Sequence, residues 1–318
     1  MNRRNLLSLA LMSPIPVIVH ANDYPTAPIN IITPLAPGDA ADSTVRLMAQ
    51  ELSTLLGVAV TIGNRPGAGG SIGTEAVIRA PKDGYTVLYA QNSPLTIRRV
   101  LDPETAAYDP AKDLTPLALT TRTPSILVAR TNASFKNFKE MVEQSLRNPN
   151  SINIGNAGPG SAGDISVQLI NSIAKTSIRS VNYKGAAPAI SDVLGGHIEA
   201  VVLALGAVSS HMRAGTLRGL AISSRFPEFP DVPTLGQLGY PQELQGVWFA
   251  FFMPAGVPTA VADKFTRALE KVARDPAIGG KLEQMGIVQE WSSDAQLVAE
   301  MQREYSTMQG LIRRNVKQ

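Results

Sequence analysis

Two stretches of this 318-residue chain gather glycine, proline and an acid where a strand hands over to a helix. The first is Pro34-Leu35-Ala36-Pro37-Gly38-Asp39-Ala40-Ala41-Asp42, and the second is Asn156-Ala157-Gly158-Pro159-Gly160-Ser161-Ala162-Gly163-Asp164. Proline and glycine fix a tight turn, and the first amides of the following helix have no intrahelical acceptor. Together with the helix dipole, those amides suit a carboxylate or a phosphate. Spacing alone supports a second reading of the first stretch equally well: a capped turn in which Asp39 or Asp42 serves only the helix start.

Other chemistries fit less well. Pro159 to Gly163 approaches the nucleophile elbow G-x-S-x-G, but Pro159 stands where the first glycine belongs. A Ser161 hydrolase would need Asp192 with His197 or His211, and Asp192 and His197 fall in one helix–turn region, a poor relay. It stays as an alternative. The run Arg65-Pro66-Gly67-Ala68-Gly69-Gly70-Ser71-Ile72-Gly73 puts Ile72 where G-x-G-x-x-G, counted from Gly67, needs glycine. It reads as a flexible surface turn and a helix start. Of His20, His197 and His211, the first lies in the N-terminal segment and the other two make no metal set. No metal and no cofactor are expected. Trp248 reads as core or interface packing near a crossing of the chain.

The elements that would position these loops follow from periodicity. Residues 29–33 form a short apolar strand. Residues 40–56 form a helix with Val45, Met48, Leu52 and Leu55 on one face, and residues 58–62 alternate as a strand. A helix over 70–80, a turn at Asp83-Gly84 and a strand over 85–90 complete a β-α-β-α-β run, which implies a parallel sheet with right-handed crossovers. A second run places strands at 125–130, 152–156, 178–183, 198–205 and 217–224, with helices over 135–147, 164–175, 187–194 and 207–213. A proline-rich connection covers 226–241 and a last strand 248–253. The C-terminal third reads as helical, including 294–315 capped by Ser292 or Ser293. Two α/β blocks and a helical tail predict two Rossmann-like lobes with a ligand cleft between them, the ligand lying outside the carboxyl ends of the strands.

Composition is that of an ordinary globular protein, with 44% hydrophobic residues. There is no cysteine, which excludes disulfides, thiolate metal sites, a cysteine nucleophile and a lipid anchor on cysteine. Arg3 and Arg4 followed by an apolar stretch to Val19 read as a signal peptide cleaved after about Ala21. The arginine pair also leaves a twin-arginine route open. Removing that segment lowers the formal charge from +3 to +1, too little for a nucleic-acid footprint. The mature chain is expected in the periplasm, as a monomer.

Many ordered matches then identify a resemblance. They are Tyr24-Pro25 with Pro28-Ile29, Pro34 to Gly38 with Asp42 and Arg46, Asn64 to Gly70, Gly73 to Ala76, Asp83 to Thr86, Tyr108-Asp109-Pro110, Tyr183-Lys184-Gly185, Asp192 to Gly196, Pro230 to Thr234 and Trp248. Over nearly all of the mature chain the sequence resembles the substrate-binding proteins of tripartite tricarboxylate transporters (TctC-like, or Bug). The resemblance implies a type II periplasmic-binding-protein fold that closes on its ligand, without catalysis. It implies backbone amides and ordered water as the carboxylate grip, Tyr183-Lys184-Gly185 as a pocket wall, and an integral-membrane tripartite tricarboxylate permease as partner. A binding protein serving a two-component sensor is the alternative.

The expected layout is a signal peptide at 1–21, lobe one at 22–122, lobe two at 123–243 and a return to lobe one at 244–318. The expected ligand set is Leu35, Ala36, Gly38, Asp39, Ala40, Asp42, Asn92, Ser93, Asn156, Gly160, Ser161, Asp164, Tyr183, Lys184, Gly185 and Leu205. Two members depart from the family pattern, which has glycine at the place of Asp39 and histidine at the place of Asp164. If both acids faced the ligand they would repel a dicarboxylate, because buried unpaired charge is costly. The ligand would then carry a donor or cation besides its carboxylate, as an amino acid or pyridine-type acid does. If both acids cap helices, a plain organic acid suffices.

Overall fold

A computed structural model describes residues 24–315, apart from Ala36, Gly38, Asp39 and Lys184. The expected leader at 1–21 and those four members of the candidate set lie outside the described residues.

The first sheet begins as predicted. Strands β1 (Ile29–Thr33), β2 (Val60–Asn64) and β3 (Thr86–Gln91) run parallel with β1 in the middle. Helices α1 (Ala40–Leu56) and α2 (Ser71–Ile78) make the crossovers. Val45, Met48 and Leu52 of α1 are buried in the core, as their spacing requires. Leu55 is not: it is 48% exposed, where the last turn has run past the sheet. A π-helical turn (Ser93–Ile97) and the short helices α3 (Arg98–Leu101) and α4 (Pro110–Asp113) follow β3.

The chain then crosses to a second sheet. Strand β4 (Leu114–Thr123) stays in the first sheet, and after Pro124 alone β5 (Ser125–Arg130) opens the second. There follow α5 (Phe138–Arg147), β6 (Asn153–Asn156), α6 (Ala162–Ala174), β7 (Arg179–Asn182), α7 (Ala186–Gly195), β8 (Ala200–Ala204), α8 (Leu205–Arg213) and β9 (Leu217–Ile222). Residues 223–246 lead back to β10 (Val247–Pro254), α9 (Thr259–Ala273), α10 (Pro276–Gln284), β11 (Val288–Ser293) and α11 (Asp294–Asn315).

Strand order is β11-β4-β10-β3-β1-β2 in one sheet and β7-β6-β8-β5-β9 in the other. In each sheet the strand that has just arrived from the other lobe, β10 or β5, lies antiparallel between two neighbours, β10 between the earlier β3 and β4 and β5 between the later β8 and β9. The two crossing segments lie side by side, joined by Ser125 N to Ser223 Oγ (3.0 Å) and Ser223 N to Ser125 O (2.9 Å). This is the type II periplasmic-binding topology: two lobes, each with its own two-faced core, linked by a narrow paired hinge.

Three expectations need correction. The predicted sheets are not purely parallel, because β10 and β11 in the first and β5 in the second run against the other strands. Strand β4 escaped prediction because Pro116 breaks its apolar run; Pro116 sits beside a register shift against β10, where proline is tolerated in a strand. Strand β11 interrupts the supposedly all-helical C-terminal third; all six of its residues are only half-buried, so it carries no clean alternation. No helix among the described residues is long and apolar enough to cross a membrane.

Candidate functional site

The loops that follow β1, β3, β6, β7 and β8 all leave the carboxyl ends of parallel strands. The two edges face each other. A side chain on Gly160 would meet Leu101 of α3 at 2.9 Å, and Ile97, Ile165 and Met308 form one cluster across the lobes. Helices α1, α6, α7 and α8 begin on these edges, so several positive dipole ends are gathered at the cleft.

The loop of 156–164 is rigid because its own side chains tie it down. Asn156 is fully buried; its Oδ1 accepts from Gly158 N (2.8 Å) and Ser161 Oγ (3.3 Å), and its Nδ2 donates to Ser180 Oγ (2.9 Å). Ser180 passes the chain on, donating to Asp164 Oδ1 at 2.7 Å. Asp164 Oδ2 accepts from Gly160 N (3.0 Å) and Gln168 Nε2 (3.3 Å). Ser161 is the N-cap of α6, and its hydroxyl accepts from Asp164 N at 3.2 Å. Ser161 thus caps α6, while Asp164 reaches back one residue further, to the Gly160 amide, and not to that of Ser161. The amides of Ala162 and Gly163 are left without a protein acceptor among the described residues.

Asp164 is 7% exposed and its carboxylate is occupied by protein donors, so it braces the loop. It also redirects Ser161. The hydroxyl is committed to Asn156 and the Asp164 amide, and no histidine is among its hydrogen-bond partners in the described residues. Asp192, the acid that a Ser161 relay would need, instead takes the hydroxyl of Tyr183.

In the loop after β1, Asp42 is 2% exposed and braced rather than free. It accepts from Arg46 Nε (2.9 Å) and Asn64 Nδ2 (2.7 Å), while Asn64 also holds Leu35 O at 3.1 Å. The Leu35 side chain belongs to the lobe-one core and that of Leu205 to a lobe-two core. Ala40 opens α1, and Ser93 is half-buried at the start of the π-helical turn. Asn92 is 1% exposed and turned inward, its Nδ2 donating to Gly246 O (3.1 Å) and Glu304 Oε1 (2.6 Å).

Tyr183 and Gly185 border the second loop. Tyr183 N donates to Asn156 O and Gly185 N to Ala157 O, each at 3.1 Å. Open space lies where a Gly185 side chain would point. The Tyr183 hydroxyl donates to Asp192 Oδ2 at 2.6 Å. Its pKa is pushed up to about 12 by burial, then by the bond to Asp192 and that carboxylate's charge. A raised tyrosine pKa favours the folded state while the phenol is protonated. That contribution is complete below the ordinary value of 10 and is lost as pH rises towards about 12. The variant Tyr183→Phe is therefore expected to lose less stability across this window than the wild type, as read from urea midpoints. Equal losses would contradict the raised pKa of Tyr183.

Sequence reasoning missed several supports. Ala68, Gly69 and Gly70 form three successive left-handed residues (φ 47, 62 and 102°). The turn is not the slack surface expected: Pro94 packs where a Gly70 side chain would lie and Arg98 where one on Gly69 would, so it seats the segment after β3. Ser180, Gln245 and Glu304 were also missed. Glu304 was legible, because it shares the buried stripe Leu297, Met301, Met308 of α11 at helical spacing. A cavity of about 480 Å³ lies behind the cleft at the hinge, bounded by Ser223, Leu244, Gln245, Trp248, Glu300 and Glu304 among others.

Two lobes on a paired hinge, with helix N-termini gathered at their facing edges, define a two-lobed solute-binding receptor. Residues 44–317 match the model of the tripartite tricarboxylate transporter family receptor, and the chain belongs to that family. It is 34% identical over 263 residues to the protein BugT of Bordetella pertussis, covering 82% of this chain and 80% of that protein. Among solved structures it is similar to a TctC solute-binding protein from Polaromonas, with a TM-score of 0.83 at 25% identity over 92% of this chain and 99% of the other. It is similar too to MatC from Rhodopseudomonas palustris with bound malate, with a TM-score of 0.71 at 27% identity over 91% and 100%. The family is one of periplasmic solute-binding receptors, a non-catalytic class.

Proposed function

We propose that this protein captures a small organic acid between its lobes in the periplasm and presents it to an integral-membrane permease of the tripartite tricarboxylate type. The observation that carries this reading is the second loop: a network of Asn156, Ser180 and Asp164 holds it rigid while the Ala162 and Gly163 amides stay open for an anion. The loop after β1, with Ala36, Gly38, Asp39 and Ala40, supplies the opposing amides, and Ser93, Lys184 and Gly185 border the ligand. Lobe one then comprises residues 22–122 and 244–318, and lobe two residues 123–243. The malate in MatC supports a carboxylate as the class. Because Asp164 already has its donors, a plain mono- or dicarboxylate comes before an amino acid or pyridine-type acid.

The test is a thermal-shift screen of residues 22–318 against mono-, di- and tricarboxylates, amino acids and aromatic acids, on protein refolded to remove carried-over ligand. A ligand that binds only the folded state raises the melting temperature, by about 2.7 kcal/mol of added stability at a hundredfold excess over Kd. A shift confined to carboxylates is expected. A shift with amino acids alone would put a ligand-facing acid back in the site, with Asp39 the first to replace by glycine.

A further inference from the structure

Glu304 is a buried acid that the ligand site as described does not use. It is 8% exposed on α11, and its three partners among the described residues are neutral donors: Asn92 Nδ2 (2.6 Å), Thr96 Oγ1 (2.7 Å) and Gln245 Nε2. Asn92 and Thr96 belong to the segment that leaves the carboxyl end of β3, where Thr96 Oγ1 lies in the π-helical turn. Gln245 belongs to the returning hinge segment. Its backbone amide donates to Ser166 Oγ of α6 at 3.0 Å, and Ser166 donates in turn to Ala162 O at 2.7 Å. Ala162 is the first residue of the helix whose open amides face the cleft.

A continuous hydrogen-bonded chain therefore runs from the lobe-one loop after β3, through Glu304 and Gln245, to the start of α6 in lobe two. It crosses the hinge beside the Ile97, Ile165 and Met308 cluster. Met308 lies one helical turn from Glu304, so the same face of α11 touches both lobes. We propose that Glu304 is a positioning residue that couples the ligand loop after β3 in lobe one to the α6 loop in lobe two; this builds on the proposed binding role.

The charged groups around Glu304 are accounted for. From β4, Arg122 lines the same cavity but pairs with Glu290 and Glu300. From α11 itself, Arg303 pairs with Glu300. From the return segment, Glu243 is held by the Thr234 hydroxyl and the Leu235 and Gly236 amides. From α3, Arg99 lies over the Tyr305 ring and pairs with Asp109, and Arg98 pairs with Asp102; residues 92–97 and α6 offer Asn92, Thr96, Ile165 and Leu169. Burial pushes the Glu304 carboxyl above the ordinary glutamate range and Glu300 adds to this, against the pull of the Thr96, Asn92 and Gln245 donors. Closing the contact thus takes up a proton. The contact is tightest below the ordinary glutamate value and loosens as pH rises through the shifted one.

Hydrogen exchange on residues 22–318 without ligand tests the coupling, with rates corrected for intrinsic pH dependence. Glu304→Ala should lower protection about tenfold in both 92–97 and 244–248 while β1 and β2 keep theirs. Glu304→Gln, neutral and of the same shape, should retain most of it. Wild-type protection in both segments should rise as pH falls towards the ordinary glutamate value, and that of Glu304→Gln should stay flat. The proposal is overturned if Glu304→Ala leaves both segments unchanged, loosens only one, or lowers protection evenly through the chain. It is overturned equally if Glu304→Gln keeps the wild-type slope. No ligand enters the experiment, so an acid panel without a hit would contradict the binding role and leave this result to stand alone.

Discussion

Replacing Gly163 by alanine is expected to destabilise the protein by about 2–3 kcal/mol and to weaken acid binding more than tenfold. Alanine is ordinarily the better helix residue by about 1 kcal/mol, so intrinsic propensity predicts the opposite sign. The difference is the packing of α6 on β8. A side chain on Gly163 would fall well inside contact of Val202 O, and 2.8 Å from Asn156 Cβ. Both neighbours are fixed: one is strand backbone, the other the residue that braces the loop. Helix α6 must move off the sheet, and the Ala162 and Gly163 amides move with it. Thermal melts and ligand titrations of Gly163→Ala read the two effects together. Unchanged stability would mean that α6 does not sit on Val202 as described.

The second large effect is expected at Asp164. Asp164→Ala removes, from a residue that is 7% exposed, the acceptor for the half-buried donors Gly160 N, Ser180 Oγ and Gln168 Nε2. Bonds to a charged group are worth about 1.5–3 kcal/mol, and donors left without an acceptor add a cost of their own. A loss of about 3 kcal/mol follows, together with frayed ordering of 158–161. Asp164→Asn keeps the shape and one acceptor oxygen, so a loss nearer 1 kcal/mol is expected. Asp164→His should also lose stability and should leave the order of preferred acids unchanged. Denaturant titration and the acid panel check both halves. A stable Asp164→His variant with a new preference would show that Asp164 meets the ligand after all.

Much of this architecture was legible because local rules and the fold agree. The boundaries of β1, β5, α1 and α11 follow from apolar runs, a proline stop and helical spacing. Both strand-to-helix loops could be picked out because glycine, proline and capping residues recur after strands. What each polar side chain does was not legible. Asp164 and Ser161 look like chemistry in one dimension and turn out to brace the loop and cap α6, with partners Ser180 and Asn156 from adjacent strands β7 and β6. Strand β4 was hidden by Pro116, and β11 by its half-buried pattern. The contacts of Glu304 with Asn92 and Thr96 join residues some two hundred positions apart in sequence, so only the helical stripe around Glu304 hinted at its burial.

The central claim is that carboxylate charge, met by helix-start amides, holds the ligand. The most direct measurement is calorimetric titration of residues 22–318 with each acid of the panel beside its neutral amide, for instance malate beside malamide and adipate beside adipamide. The amide keeps the size and the hydrogen-bonding carbonyl but loses the charge that the helix ends attract. At least one acid should bind, with its amide weaker by a factor of ten or more, about 1.4 kcal/mol. Amides that bind as tightly as their acids would contradict the account, and so would a panel in which no acid binds refolded protein.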